Sequence, residues 1–469
     1  MTQKYIYILI LTATLAVCYA ITLAPGLTWA NGSADGGDLI TAAATEGVAH
    51  PSGYPLYLLL ARAFQLLPFG TLAFRTNLLS AICAILMALT LQTWLRCQFT
   101  PGVAFAGALA FGLAPVIWSK AVVTEVYALQ SLLLVLFLWT MFDKTVPGGE
   151  WTRGLLFGLA AANHLTTLLF FPLLLLRTTP EPRLADPPTL VRRGLACALG
   201  LSLYLTLPLR AATNPPVNWG NPVNLDGFWW LVSGRLYADY SFAITPADAL
   251  LRLQGVGGLF LEQFTIVGVL LGVYGLFTSL PRRLLLATLW VFLCSAGFAV
   301  FYGSYDSKIY LLPCYLVFTI WLAYGLQDIL HVAPQKLGRS LIPLIVFGLL
   351  IRIPFTHPSV DASHNPQAEN FGTQFAAQTP PHAILFANSD EPVFALWYFH
   401  YALSQRPDVA VIAEELLPYD WYIETLSYTY PTLKIPPNST SAAAIATENP
   451  GRPACRITSA EVVWDNFCD

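Results

Sequence analysis

Ten apolar runs, each at least fifteen residues long, occupy most of the first three quarters of this chain. They are Ile6–Ala24, Leu72–Leu95, Val103–Trp118, Val122–Phe142, Gly154–Leu176, Gly194–Leu209, Val256–Leu280, Leu284–Tyr302, Ile309–Leu330 and Leu341–Phe355. A helix needs about 20 such residues to cross a hydrocarbon layer. Charged side chains are 11% of the chain, against about 25% in a soluble domain. That excludes an ordinary soluble enzyme and a disordered chain. A net charge of −3 offers nucleic acid no basic surface. The chain reads as a mostly α-helical, multi-pass membrane protein.

Charge divides it in two. Residues 1–354 carry 20 basic and 14 acidic side chains, whereas 355–469 carry 4 and 13. The expected organisation is a transmembrane domain over 1–354 and a small water-exposed domain over 355–469. Cys18, Cys83, Cys97, Cys197, Cys294 and Cys314 lie in or beside apolar runs and read as small hydrophobes. Cys455 and Cys468 stand apart in the tail, where a disulfide is open to them outside the cytoplasm.

Arginine placement sets the topology. With Lys4 inside, Ile6–Ala24 reads as a retained helix rather than a signal peptide, and 25–71 lies outside. Arg96, Lys144 and Arg153 then fall inside. Gly154–Leu176 as one span would put Arg177, Arg183, Arg192, Arg193, Arg282, Arg283, Lys336 and Arg339 outside. Two half-length helices, 154–162 and 165–176, broken at Asn163-His164, return all eight to the inside. Irregular backbone at that depth must be buried in protein. The count becomes about 10–11 membrane helices, with the N-terminus cytoplasmic and the tail outside the cytoplasm. Three polar loops, 25–71, 210–255 and 303–308, then share the outer face with the tail.

The first loop carries Asp35-Gly-Gly-Asp38 and His50-Pro-Ser-Gly-Tyr54-Pro-Leu-Tyr57. A short helix is expected from Asp38 to Gly47, with Asp38 at its N-cap or in its first turn. Asp35 sits on a Gly-rich turn, free to take a proton from a hydroxyl or only to shape the turn. His50 is placed to orient a phosphate or to cap a turn, and Leu56–Leu67 to lie along the interface. Glu125 and Tyr127 mark the outer end of a helix, as functional groups or as anchors. The second loop holds Arg210, Asn218-Trp219-Gly-Asn221-Pro, Phe228-Trp-Trp230 and Arg235-Leu-Tyr237. Its aromatics suit a membrane boundary or a sugar face, and its arginines suit a phosphate. In the third loop Asp306 and Lys308 read as site groups or as a local ion pair. In the tail, a strand at 383–390, a helix over 391–403 and a strand at 408–413 make a βαβ unit without a phosphate loop. Asn438-Ser-Thr is a formal glycosylation sequon.

Taken together, Asp35-Gly-Gly-Asp38, the His50–Tyr57 string, Arg75-Thr-Asn77, Trp118–Tyr127, Asn163-His164, Asn218–Pro222 and Arg406-Pro-Asp-Val409 resemble the membrane protein O-mannosyltransferase-like family. That family belongs with the GT-C glycosyltransferases. The resemblance implies a GT-C membrane domain and transfer of a sugar, mannose among the candidates, from a polyprenyl-phosphate donor. The acceptor it implies is a hydroxyl of a protein, glycan or lipid at the outer face of the cell membrane. It implies Asp35 as the base, with Asp38 beside it. His50, His164, Arg210, Arg235 and Lys308 are candidates for the donor phosphate. Glu125, Tyr54, Trp219 and Asp306 would shape the site. The family usually has Glu where this chain has Asp38, so the role of Asp38 stays open. No cofactor is expected beyond the lipid-linked sugar itself. The Asp-x-x-Asp spacing leaves a divalent metal open without supporting one. A transporter or lipid-linked sugar flippase, and a non-catalytic membrane subunit, are the rival readings. Charged residues concentrated at one face and the lack of an internal repeat weigh against transport.

Overall fold

A computed structural model describes residues 3–143, 149–178, 183–436 and 441–457. Lys144, the sequon at Asn438 and Cys468 lie outside the described residues. Helices dominate. Among the described residues, seven are long and apolar enough to cross a membrane: Tyr5–Thr22, Leu72–Leu95, Pro187–Ala211, Pro246–Gly275, Arg282–Phe301, Ser307–Val332 and Gln335–Val360. Pro101–Gly112 and Pro115–Ala121 form an eighth candidate, bent by 64°. Tyr127–Phe142 and Leu165–Leu174 are shorter apolar segments. The 10–11 spans expected from apolar runs thus compare with seven full-length helices, one bent pair and short segments. Runs such as Val103–Trp118 are interrupted, here by Pro115, which lacks the N–H a continuing helix needs.

Gly154–Leu176 is broken. The helix Gly149–Asn163 ends, His164 is extended (φ −157°), and a 3₁₀ turn Leu165–Phe170 follows. Both ends of this segment meet around one guanidinium. Arg193 bonds Glu150 at 2.6 Å and donates to the carbonyls of Leu174 (2.5 Å) and Leu176 (2.7 Å). Arg153 pairs with the same Glu150 at 3.1 Å, and Arg283 donates to the Met141 carbonyl at 3.0 Å. The chain therefore enters at Gly149, turns at His164 and returns to the same face. This arginine face lies opposite the loops.

The loops converge on the other face. Val48 and Asn218 form an isolated parallel bridge, with Val48 N–H on the Val217 carbonyl at 2.9 Å. Gly303 N–H reaches the Tyr240 carbonyl at 2.7 Å, joining the third loop to the end of the second. Pro55–Gln65 is a short helix packed beside Leu72–Leu95 rather than a span.

The last long helix runs through residue 354 to Val360, and the tail follows. Its parallel sheet has strands β1 (Ile384–Ala387), β2 (Ala410–Ala413) and β3 (Ala454–Ile457) in the order β2-β1-β3. Asp390–Trp397 is the crossover helix from β1 to β2. Strands β1 and β2 match the βαβ reading, and β3 is an addition to it. Cys455 in β3 is disulfide-bonded. The tail is not a separate ball on a tether. One apolar core runs from Leu11 and Leu15 through Tyr57, Trp118 and Trp219 into Phe371, Phe394 and Val411. Glu369 accepts from Leu27 N–H at 2.9 Å, Asn221 donates to Glu424 at 2.9 Å, and Asn218 donates to the Tyr428 hydroxyl at 3.1 Å.

Candidate functional site

The loop helix starts two residues earlier than expected, at Gly36, and ends at Ala44. Asp35 is therefore its N-cap residue and Asp38 stands in its first turn. Neither carboxylate caps it. Asp35 makes no side-chain capping bond, and Asp38 turns away into the protein. Gly36 and Gly37 explain the early start. An added Cβ on Gly37 would stand 2.4 Å from the Phe394 carbonyl oxygen, so only glycine lets the tail helix lie this close.

Asp38 is fully buried, and both of its oxygens are used. Oδ2 accepts from His50 N–H at 3.0 Å and lies 2.6 Å from His50 Nδ1. Oδ1 accepts from Trp219 Nε1–H at 3.0 Å. Three nitrogen donors thus converge on one sealed carboxylate. The other ring nitrogen of His50, Nε2, lies 3.7 Å from Asp35 Oδ2, whose side chain is 39% exposed. One imidazole thus sits between a sealed carboxylate and an open one.

Electrostatics follow from this sandwich. Burial alone would push His50 down, but the Asp35 and Asp38 carboxylates outweigh it and hold the ring up to about 9. Asp35 is raised above the usual carboxylate range by desolvation in the cleft. His50 and Lys120 pull it back, while Asp38 and Asp306 push it further. Asp390, at the start of the tail helix, is pushed up to about 6, first by desolvation and then by Asp35.

Tyr54 links this centre to a cavity. Its backbone is left-handed (φ 43°), immediately before Pro55 at the start of the next helix. Its hydroxyl donates to the Pro51 carbonyl at 3.2 Å. Its ring lies 4.9 Å from the ring centroid of His50 and 5.9 Å from that of His164. His164 sits at the helix break, with Tyr127 at 5.8 Å and Tyr310 at 6.0 Å. Beside them lies a small pocket lined by Tyr127, His164, Phe170, Ser295, Phe298 and Tyr310 among others. Its walls are largely apolar, and the buried Ser295 hydroxyl has no hydrogen-bond partner among the described residues.

The remaining candidates divide. Glu125 is buried and pairs with Lys120 at 2.8 Å, and Lys120 also donates to the Asn31 carbonyl at 2.8 Å. Trp219 is buried between His50, Phe394, Trp397 and Trp421. Arg210 is drawn to the first loop, donating to the Gly47 carbonyl at 3.2 Å. Arg235 and Lys308 are exposed. Asp306 is exposed too and bonds Ser304; among the described residues it forms no ion pair with Lys308. Both ring nitrogens of His50 face carboxylates, Nδ1 at 2.6 Å and Nε2 at 3.7 Å. The cations acting most on Asp35 are His50 and Lys120, not the three loop cations. Sequence reasoning missed Lys120, Tyr310 and Asp390. Only Lys120 left a trace in the chain, as a lone cation at a helix end five residues before Glu125. Asp38, fully buried and already engaged by three nitrogen donors, presents no open face for a metal shared with Asp35. Among the described residues no cluster of three or more His, Cys, Asp or Glu side chains is arranged for a metal ion.

Comparisons with known proteins point the same way. Residues 35–179 match the protein O-mannosyl-transferase TMEM260 N-terminal domain, and 368–446 match the TMEM260-associated domain 2. The chain is 26% identical to protein O-mannosyl-transferase TMEM260 of Mus musculus, over 90% of this chain and 65% of that protein. It is 22% identical to the Dictyostelium discoideum counterpart, over 92% of this chain and 60% of that one. The chain thus spans under two thirds of each relative. In fold it is similar to ArnT from Cupriavidus metallidurans bound to undecaprenyl phosphate, with a TM-score of 0.60 at 11% identity over 98% of this chain and 94% of that one. It is also similar to the Archaeoglobus fulgidus oligosaccharyltransferase, with a TM-score of 0.52 at 12% identity over 91% of this chain and 68% of that one. The acidic pair, the His50–Tyr57 string and most of the tail fall in the matched stretches; the chain is a multi-pass membrane protein similar in sequence to the TMEM260-type protein O-mannosyl-transferases and GT-C-like in fold.

Proposed function

We propose that the chain is a membrane glycosyltransferase. It moves a sugar of the mannose class from a polyprenyl-phosphate donor to an acceptor hydroxyl, with Asp35 as general base. The single observation that carries this is the position of Asp35. It is an open carboxylate at the mouth where three loops and the tail meet, and Tyr54 and His164 connect that mouth to an apolar cavity. A donor with a polar head and an apolar tail needs both. The TMEM260 relatives, named as protein O-mannosyl-transferases, support the reaction class and a protein hydroxyl as acceptor. The ArnT structure, which holds undecaprenyl phosphate, supports the donor class.

The reaction balances on these groups. The acceptor oxygen attacks the anomeric carbon as its proton passes to an Asp35 oxygen. The carbon–oxygen bond to the donor phosphate breaks, and polyprenyl phosphate leaves with the electron pair. In-line attack inverts the anomeric carbon. His164, at the junction of mouth and cavity, is the candidate that lies where the phosphate would sit. Asp38 and His50 stand behind Asp35. The active face is the outer face of the cell membrane, and the arginine face is cytoplasmic by the positive-inside rule.

The test is sugar release from labelled polyprenyl-phosphate mannose by the purified full chain in lipid, with a Ser/Thr peptide, beside Asp35→Asn. Release by the wild type and a loss of about 10²-fold or more in the variant are expected. Equal rates in the two would overturn the assignment of Asp35.

A further inference from the structure

We infer that His50 is a positioning residue for Asp35: Asp38 and Trp219 fasten its ring from behind, so that Nε2 aims the Asp35 carboxylate into the open mouth. The inference rests on reading Asp35 as the group that meets the acceptor.

Three observations carry it. First, the two carboxylates are unequal. Asp38 is sealed and saturated by N–H donors, so no substrate reaches it. Second, the ring is gripped on one side and looser on the other. Nδ1 stands 2.6 Å from Asp38, and Nε2 stands 3.7 Å from Asp35. The ring's place is therefore set by Asp38, and Asp35 is held relative to the ring. Third, the loop helix leaves the Asp35 side chain unused, since this N-cap residue makes no capping bond. A short carboxylate on a Gly-rich turn has several rotamers, and His50 selects one.

The groups facing the ring come from four elements. Asp35 and Asp38 belong to the first loop, Tyr54 to the helix start that follows it, Asp390 to the tail helix, and His164 to the broken segment. Trp219 and Phe394 close the remaining sides with uncharged rings. Around this ring carboxylates outnumber cations, so the proton on Nε2 is retained at neutral pH. A cation at that distance also keeps Asp35 ionised and able to accept a proton.

The test uses the full chain in lipid nanodiscs, with His50→Gln and Trp219→Phe, and two readouts. One is isotope-edited infrared titration of the Asp35 carboxyl, assigned by subtraction of Asp35→Asn. The other is turnover of labelled polyprenyl-phosphate mannose against pH. In His50→Gln, Asp35 is expected to titrate at higher pH, and the acid limb of the rate profile to move up with it. Its kcat is expected to fall about 10²-fold, as for a misplaced reacting group, with donor KM within about threefold. Trp219→Phe, which loosens Asp38 but keeps the ring, should move both in the same direction by less. It covers the case in which His50→Gln does not fold. An unchanged Asp35 titration in a folded variant would overturn the inference. The infrared readout needs no turnover. A wild type that shifts Asp35 through His50 yet releases no sugar from any donor supports the positioning and sinks the transferase reading. Turnover without the shift does the reverse.

Discussion

Trp219 and Asp38 are 181 residues apart in the chain and share one 3.0 Å hydrogen bond. That bond ties the second loop to the first at the residue that fixes His50. It makes the site a property of the assembled loops, and several consequences can be measured.

Asp38→Ala would leave His50 N–H, His50 Nδ1 and Trp219 Nε1 without their acceptor in a sealed place. The expected destabilisation is about 3–5 kcal/mol, the range for breaking a buried ionic contact. Trp219→Phe removes one donor only and should cost about 1–2 kcal/mol. Denaturant titration in detergent, followed by tryptophan fluorescence for the first variant and by circular dichroism for both, gives the order.

The raised His50 makes stability depend on pH. Its folded value of about 9 lies above its ordinary 6.5, so the folded state holds a proton that the unfolded state releases. The stabilisation is fully present below 6.5 and is lost as pH rises through about 9. It amounts to roughly 3 kcal/mol at most. Unfolding midpoints of the wild type between pH 6 and 10 should fall more steeply than those of His50→Gln. Parallel curves would refute the shift.

Gly37→Ala puts a methyl group against the Phe394 carbonyl, 2.4 Å from the built Cβ. Backbone must move, at a cost of about 1–3 kcal/mol. The tail helix should lift, and limited proteolysis in 361–366 should speed up relative to the wild type. Gly149→Ala also strains a left-handed glycine but meets nothing within 4 Å, and it should leave the tail docked.

Lys120→Met strips Glu125 of its partner in a buried pair, for a loss of about 3–5 kcal/mol. Adding Glu125→Gln should restore much of it. A double-mutant cycle on thermal unfolding measures the coupling, and additive losses would mean that the two side chains act separately.

Much of this organisation was legible in the chain. Asn163-His164 interrupts an apolar run, and eight basic residues needed that interruption to fall on one side; the ring of contacts around Arg193 is its structural counterpart. The convergence of the loops followed from the same count. What stayed hidden was pairing across long separations. Nothing near Asp38 indicates that its partner is Trp219, nor does the tail sequence show that Asp390 faces His50. Strand β3 is four residues long and pairs with a strand some 70 positions earlier, so no local pattern betrays it. The loop helix includes two glycines, poor helix formers in isolation, and of these Gly37 is required by the close approach of the Phe394 backbone.

The segment that turns at His164 has a consequence for where the chemistry happens in depth. Its first arm, Gly149–Asn163, has 15 residues and rises about 22 Å, short of the roughly 30 Å of a hydrocarbon core. The floor of the cleft therefore lies below the plane of the lipid headgroups. On the proposed function, a lipid-borne phosphate would sink to meet it, while a water-borne hydroxyl would descend from above through a well walled by protein. The scarcity of water at the bottom of that well, as much as any side chain, would decide whether the sugar goes to the acceptor or is lost to hydrolysis.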